Sequence, residues 1–170
     1  MARRRQHLDR YELSEDGSYT YRGSFWRWDP PEQREPFVRA LAILLVVAGI
    51  ALFGAGMVPL GTSGSFLMTL PYALGCIFAV LSASCAVRIS REGDPMRDYV
   101  YESSVERLKP RLALGSACCF ASAVGSILTT LIWSGAPSVT FPFCAFMLAA
   151  GLAMGQSIRR MAGITFTKED

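Results

Sequence analysis

Two long stretches of this sequence carry no charge at all. From Ala40 to Val87 there is no Asp, Glu, Lys, Arg or His, and from Leu112 to Ile158 there is none either. A soluble amphipathic helix shows a polar face every turn or so; these stretches show none. Ionisable side chains inside a membrane mark proton and ion pathways. Their absence excludes the chemistry of small multidrug exporters, four-span proteins that keep a membrane carboxylate at the substrate site. The chain has a single histidine, His7, near its start. That excludes a haem held by paired membrane histidines and argues against a zinc enzyme. No glycine-rich phosphate loop and no Ser/His/Asp set is present. Arg3-Arg4-Arg5 is too short for specific nucleic-acid recognition and fits attraction to anionic lipid. No catalytic, cofactor-binding or metal-binding residue is therefore expected, and no cofactor.

Cysteine is present but poorly placed for redox work. Four-span quinone-linked disulfide enzymes keep reactive cysteines at the outer face, often as Cys-x-x-Cys. Here Cys76, Cys85, Cys118, Cys119 and Cys144 all fall inside apolar runs. Cys118 and Cys119 are neighbours that point about 100° apart on a helix. Buried cysteine behaves as a small apolar side chain.

What the chain does have is length without charge. About 20 apolar residues cross a bilayer core of roughly 30 Å. Each uncharged stretch holds about 47 residues, enough for two spans and a tight turn. Val58-Pro-Leu-Gly-Thr-Ser-Gly-Ser65 divides the first and Trp133-Ser-Gly-Ala-Pro-Ser138 the second; Pro, Gly and Ser punctuate helices. The expected fold is an all-α integral membrane protein, a four-helix bundle with spans at 37–58, 66–88, 111–133 and 140–159. Its units are an N-terminal tail (1–36), a first hairpin (37–88), a middle loop (89–110), a second hairpin (111–160) and a C-terminal tail (161–170).

The 17 Lys and Arg fix an orientation. Eight lie at or before Arg39, six between Arg88 and Arg111, and three at or after Arg159; the two outer turns carry none. Positive residues stay cytoplasmic, so both termini and the middle loop are expected in the cytoplasm. Met-Ala-Arg-Arg-Arg at the start is not followed directly by an apolar segment, so a cleaved signal is not expected. Position 2 is Ala, and no prenylation motif closes the chain, so anchoring is expected through the spans alone. Arg outnumbers Lys 15 to 2, which points to a GC-rich genome and a bacterial plasma membrane.

One phrase occurs twice. Thr69-Leu-Pro-Tyr72 and Thr140-Phe-Pro-Phe143 lie 71 residues apart, and at that offset Ala79 meets Ala150 and Arg88 meets Arg159. Arg39-Ala-Leu-Ala resembles Arg111-Leu-Ala-Leu. The expectation is a tandem, parallel repeat of two hairpins about an axis along the membrane normal. All membrane hairpins share some of this grammar, since proline near a helix start loses little.

Lipid is as apolar as leucine, so membrane helices associate through small residues. Ala117, Ala121 and Gly125, spaced by four, are the expected seam of the third span; Gly151 and Gly155 form a Gly-x-x-x-Gly in the fourth. In the tail, Asp16-Gly17 between alternating residues signals a short β-hairpin. Trp26 and Trp28, and Trp133 at the other face, are expected as interfacial anchors. In the middle loop, a surface helix is expected over Asp94 to Leu108, with Pro95 in its first turn and Pro110 breaking it from the third span. No motif is specific enough to name a family. The function expected is a non-enzymatic accessory or structural subunit of a membrane complex; the alternative is an oligomeric transporter or channel for an uncharged or lipid-like substrate. Partners are then membrane lipids and other membrane proteins or further copies of the chain, with no nucleic acid.

Overall fold

The computed structural model describes residues 11–13, 19–21, 23–59, 65–133 and 137–169. Arg3-Arg4-Arg5, His7, the Asp16-Gly17 turn, the turns at 60–64 and 134–136, and the Trp133 side chain lie outside the described residues. The chain is mostly helical, and four helices are long and apolar enough to cross a membrane. These are α1 (Arg34–Met57), α2 (Phe66–Arg91), α4 (Glu106–Trp133) and α5 (Pro137–Ala162).

Local chemistry sets their ends. Pro31 opens a 3-10 turn ahead of α1, where a missing N–H costs least. Val58, extended before Pro59, ends it. Ser65 caps α2 by accepting from the Leu67 N–H. α2 packs on α4, α4 on α5, and α5 on α1, while the contact between α1 and α2 is the thinnest of the four.

Two prolines sit inside helices at matching places. Pro71 is the sixth residue of α2 and Pro142 the sixth of α5. Pro71 has no N–H for the Leu67 carbonyl. α4 comes closest at that point: a Cβ on Gly125 would lie 2.6 Å from the Leu67 oxygen. One turn away, Ser122 Oγ donates to the Met68 carbonyl at 2.9 Å. The proline thus exposes backbone that the neighbouring helix meets with a glycine and a hydroxyl.

The middle segment corrects the expectation. Pro95 precedes strand β4 (Met96–Arg97) instead of starting a helix. A single turn α3 (Asp98–Val100) and a π-helical turn (Tyr101–Val105) then run into α4 without a break. Pro110 lies inside α4. The carbonyl it leaves unpaired is that of Glu106, the first residue of α4, beside a π-turn whose hydrogen-bond ladder is already shifted. The helix from Asp98 to Ile132 has 35 residues, about 50 Å at 1.5 Å per residue, so its first turns stand clear of a bilayer core.

The described residues also form five strands, three of them at one end of the helices. β1 (Tyr11–Leu13) pairs antiparallel with β2 (Tyr19–Tyr21), as the Asp-Gly signal implies. The other three form a sheet the sequence did not announce: β3 (Phe25–Asp29) runs between β4 and β5 (Thr165–Glu169), antiparallel to both. The N-terminal segment, the middle segment and the C-terminal segment are woven into one cap.

Candidate functional site: a woven cap and two clefts

The cap is held by an aromatic cluster drawn from four parts of the chain. Side chains alternate along a strand, so Trp26 and Trp28 share the inner face of β3. Trp28 is 1% exposed. Its ring packs on Phe37 of α1 at 5.6 Å and on its cross-strand partner Phe166 of β5 at 4.7 Å. Trp26 stacks on Tyr101 at 4.1 Å and donates its Nε1–H to Asp98 Oδ1 at 2.8 Å. Tyr101 meets Phe166 edge-on at 5.1 Å. Burial, and after it the Glu106 carboxylate, push the Tyr101 phenol above its ordinary 10.0. On the outer face Arg27 pairs with Glu169 at 2.9 Å. These contacts correct the expected role of the two tryptophans: Trp28 is core, and Trp26 is committed to Tyr101 and Asp98.

Among the described residues, two clefts open between the helices below the cap. The larger, about 310 Å³, lies between the start of α1 and the end of α5, lined by Gln33, Pro36, Phe37, Ala40, Arg159, Arg160, Gly163 and Ile164. The second, about 230 Å³, parts α1 from α2 and is almost wholly apolar: Val38, Ala42, Leu45 and Val46 face Ala83, Ala86, Val87 and Ser90. Arg34 closes its capped end by donating Nη2 to the Ser90 and Glu92 carbonyls. Farther along the same two helices, Tyr72 donates its hydroxyl to the Leu52 carbonyl at 3.1 Å.

Between α4 and its neighbours the polar side chains are spent on one another. Ser116 donates to the Gly151 carbonyl at 2.9 Å, Ser126 meets Cys144 at 2.9 Å, and Thr130 meets Thr140 at 2.6 Å. Gly125 sits against α2, and a Cβ on Gly151 would meet Phe120 and Cys119 at 3.3–3.4 Å. Gly155 faces Ser116 at 3.7 Å. Ala117 and Ala121 are elsewhere: both are exposed on the outward face of α4, with Ala113. Gly125 is buried against α2 whereas Ala117 and Ala121 are exposed, so the three do not form one seam. The buried line of α4 is Leu108, Leu112, Cys119, Ala123 and Ser126, in steps that mix three, four and seven.

The five cysteines are free thiols. Cys85 is the one beside a cation, with Arg111 Nη1 2.8 Å from its sulfur under the π-turn. The residues missed by sequence reading are those of β3 and β5. Their alternation (Trp26/Trp28 and Thr165/Thr167) was a period-2 signal, but partners over a hundred residues apart are not readable from it. Comparison with protein-family models, curated proteins and solved structures found no significant match to any of them.

Proposed function

We propose that the chain is a non-enzymatic accessory or structural subunit of a membrane complex. It would lie in a bacterial plasma membrane with the cap and both termini in the cytoplasm. The observation that carries this reading is the disposition of polar and small residues on α4. Ser116, Ser122, Ser126 and Thr130 are hydrogen-bonded to neighbouring helices, while Ala113, Ala117 and Ala121 are exposed on the outward side, small residues that let another helix approach closely. The folded cap adds a formed surface on the side where the charge bias of the sequence puts the cytoplasm.

Co-purification in mild detergent tests it. The wild-type chain should retain a membrane partner, another protein or a second copy, and A117L/A121L should lose it while keeping its own thermal unfolding. Retention of the same company by both overturns the reading. The orientation is tested separately, in a cysteine-free background. Cysteines at Ser63 or Ser138 should react with an impermeant thiol reagent from outside, and cysteines at Ser18 or Ser103 should not.

Two finer readings have their own support. Matching prolines in α2 and α5, and the contact of Tyr72 with Phe143 at 6.0 Å, are what a parallel tandem repeat would give, since equivalent residues meet at an axis between the halves. The apolar cleft between α1 and α2 favours the second function, carriage of an uncharged or lipid-like substrate. Transport of such a substrate by the purified chain in liposomes, abolished by A86L, would put that function first.

A further inference from the structure

We infer that the cleft between α1 and α5 is a binding site for an anionic glycerophospholipid of the leaflet on the capped side. The inference stands on this cleft alone and is independent of whether the chain serves a complex. Its volume, about 310 Å³, is at the lower end of the roughly 300–1,000 Å³ typical of small-ligand sites. Of the two larger clefts described it is the one lined by cations. Arg159 and Arg160 face it and are exposed, and neither joins an ion pair among the described residues. Arg27, Arg39 and Arg97 nearby are each paired with a glutamate.

The alternative explanation is that two arginines merely complement the carboxyl end of α5 and reach toward water. The lining argues for more than that. Gln33, at the start of α1, brings an amide to the same cleft, and the acid next along the helix, Glu35, is held by Arg39 at 3.2 Å. Phe37, Ala40 and Ile164 make the other half apolar. The cleft also lies at the chemical boundary of the chain: Ala40 is the first residue of one uncharged stretch, and Arg159 directly follows the other. A ligand suited to it carries a phosphate for the two guanidinium groups and a hydrocarbon portion for the apolar wall. Guanidinium is the side chain best matched to phosphate oxygens.

The test is native mass spectrometry of the purified chain released from nanodiscs. These contain equal amounts of phosphatidylglycerol and phosphatidylcholine with identical acyl chains. The wild type should retain one phosphatidylglycerol in preference to phosphatidylcholine. Each guanidinium removed should weaken retention about fivefold, so R159Q/R160Q should approach the phosphatidylcholine level. R88Q/R91Q, with the same loss of charge on α2, should keep the preference. Equal retention of the two lipids by the wild type overturns the inference, as does an equal loss in both double variants. Displacement of the lipid by millimolar inorganic phosphate would assign the site to free phosphate and overturn it too. Should R159Q/R160Q fail to fold, photo-crosslinking decides on the wild-type chain. A phosphatidylglycerol with a headgroup diazirine should label residues 33–40 and 159–164, and labelling spread over all helix ends refutes the site.

Discussion

Between α4 and α5 the helices meet through glycine, serine and threonine, with Ser116, Ser126 and Thr130 bonded across the interface. Between α1 and α2 they are joined by Arg34 at the capped end and by Tyr72 farther along, and part next to Arg34 around an apolar cleft. Both hairpins are rich in small residues, so abundance does not decide which closes. What decides is what stands opposite. Ala83 borders the open cleft, whereas Met154, 71 residues on, fills its space against Gly115. A flexible thioether packs an irregular gap; two facing alanines leave one. A tight hairpin and a loose one can thus be built from nearly the same composition.

The largest effect is expected at Gly125, where the tight hairpin's α4 packs on α2 of the loose one. In G125L the side chain would meet the backbone of Leu67, which cannot swing away. Overpacking against movable side chains costs roughly 1–3 kcal/mol; here the cost should exceed that, and the protein should elute as aggregate on size exclusion. G49L on α1, where nothing lies within 4 Å, should elute and unfold as the wild type does. Second in size is the cap, which joins the free ends of the two hairpins. W28A should cost about 3–5 kcal/mol and raise protease cleavage at β5; an unchanged cleavage rate would mean the cap does not depend on its central ring.

Filling the loose hairpin should act in the opposite direction. A86L is expected to stabilise by about 0.5–2 kcal/mol, as cavity-filling changes do, measured by detergent unfolding; a loss of that size would mean the cleft is narrower than described. S122A removes the hydroxyl bond to Met68 and should cost about 0.6 kcal/mol, the average for such bonds in membrane helices. The smallest effect belongs to the cysteines. Replacing all five with Ala or Ser should leave insertion and any cellular phenotype unchanged. Loss of the phenotype with folding intact would revive a redox role, beginning with Cys85 beside Arg111.

The four long helices were legible because charge and apolar length are local properties. The cap was not. Trp26 and Trp28 read as interfacial anchors because amphipathic rings favour headgroups; pairing with Thr165–Glu169 sets Trp28 against Phe166 and buries it, while Trp26 stacks half-buried on Tyr101. Pro110 read as a break because the π-turn before it was invisible. Ala117 and Ala121 read as a seam with Gly125 because residues spaced by four lie along one side of a helix; only the packing of Gly125 on α2 shows that the two alanines are left exposed. Gly125 and Gly151 could be nominated from sequence, but not what they touch: Gly125 lies against the Leu67 carbonyl, to which Pro71, four residues on, offers no N–H.

The pairing of β3 with β5 also imposes an order in time. Thr165 bonds to the carbonyl of Asp29 across 136 positions of chain. A ribosome adding roughly 5–20 residues per second needs on the order of ten seconds to travel that distance. Throughout that interval β3 has been made and its partner has not, so Trp28 waits without Phe166 to cover it. All four long helices must be synthesised before the sheet can close, and contacts so distant along the chain form late. A chain stalled after α5 would carry its helices and an uncovered tryptophan, a difference that a chaperone or protease could read.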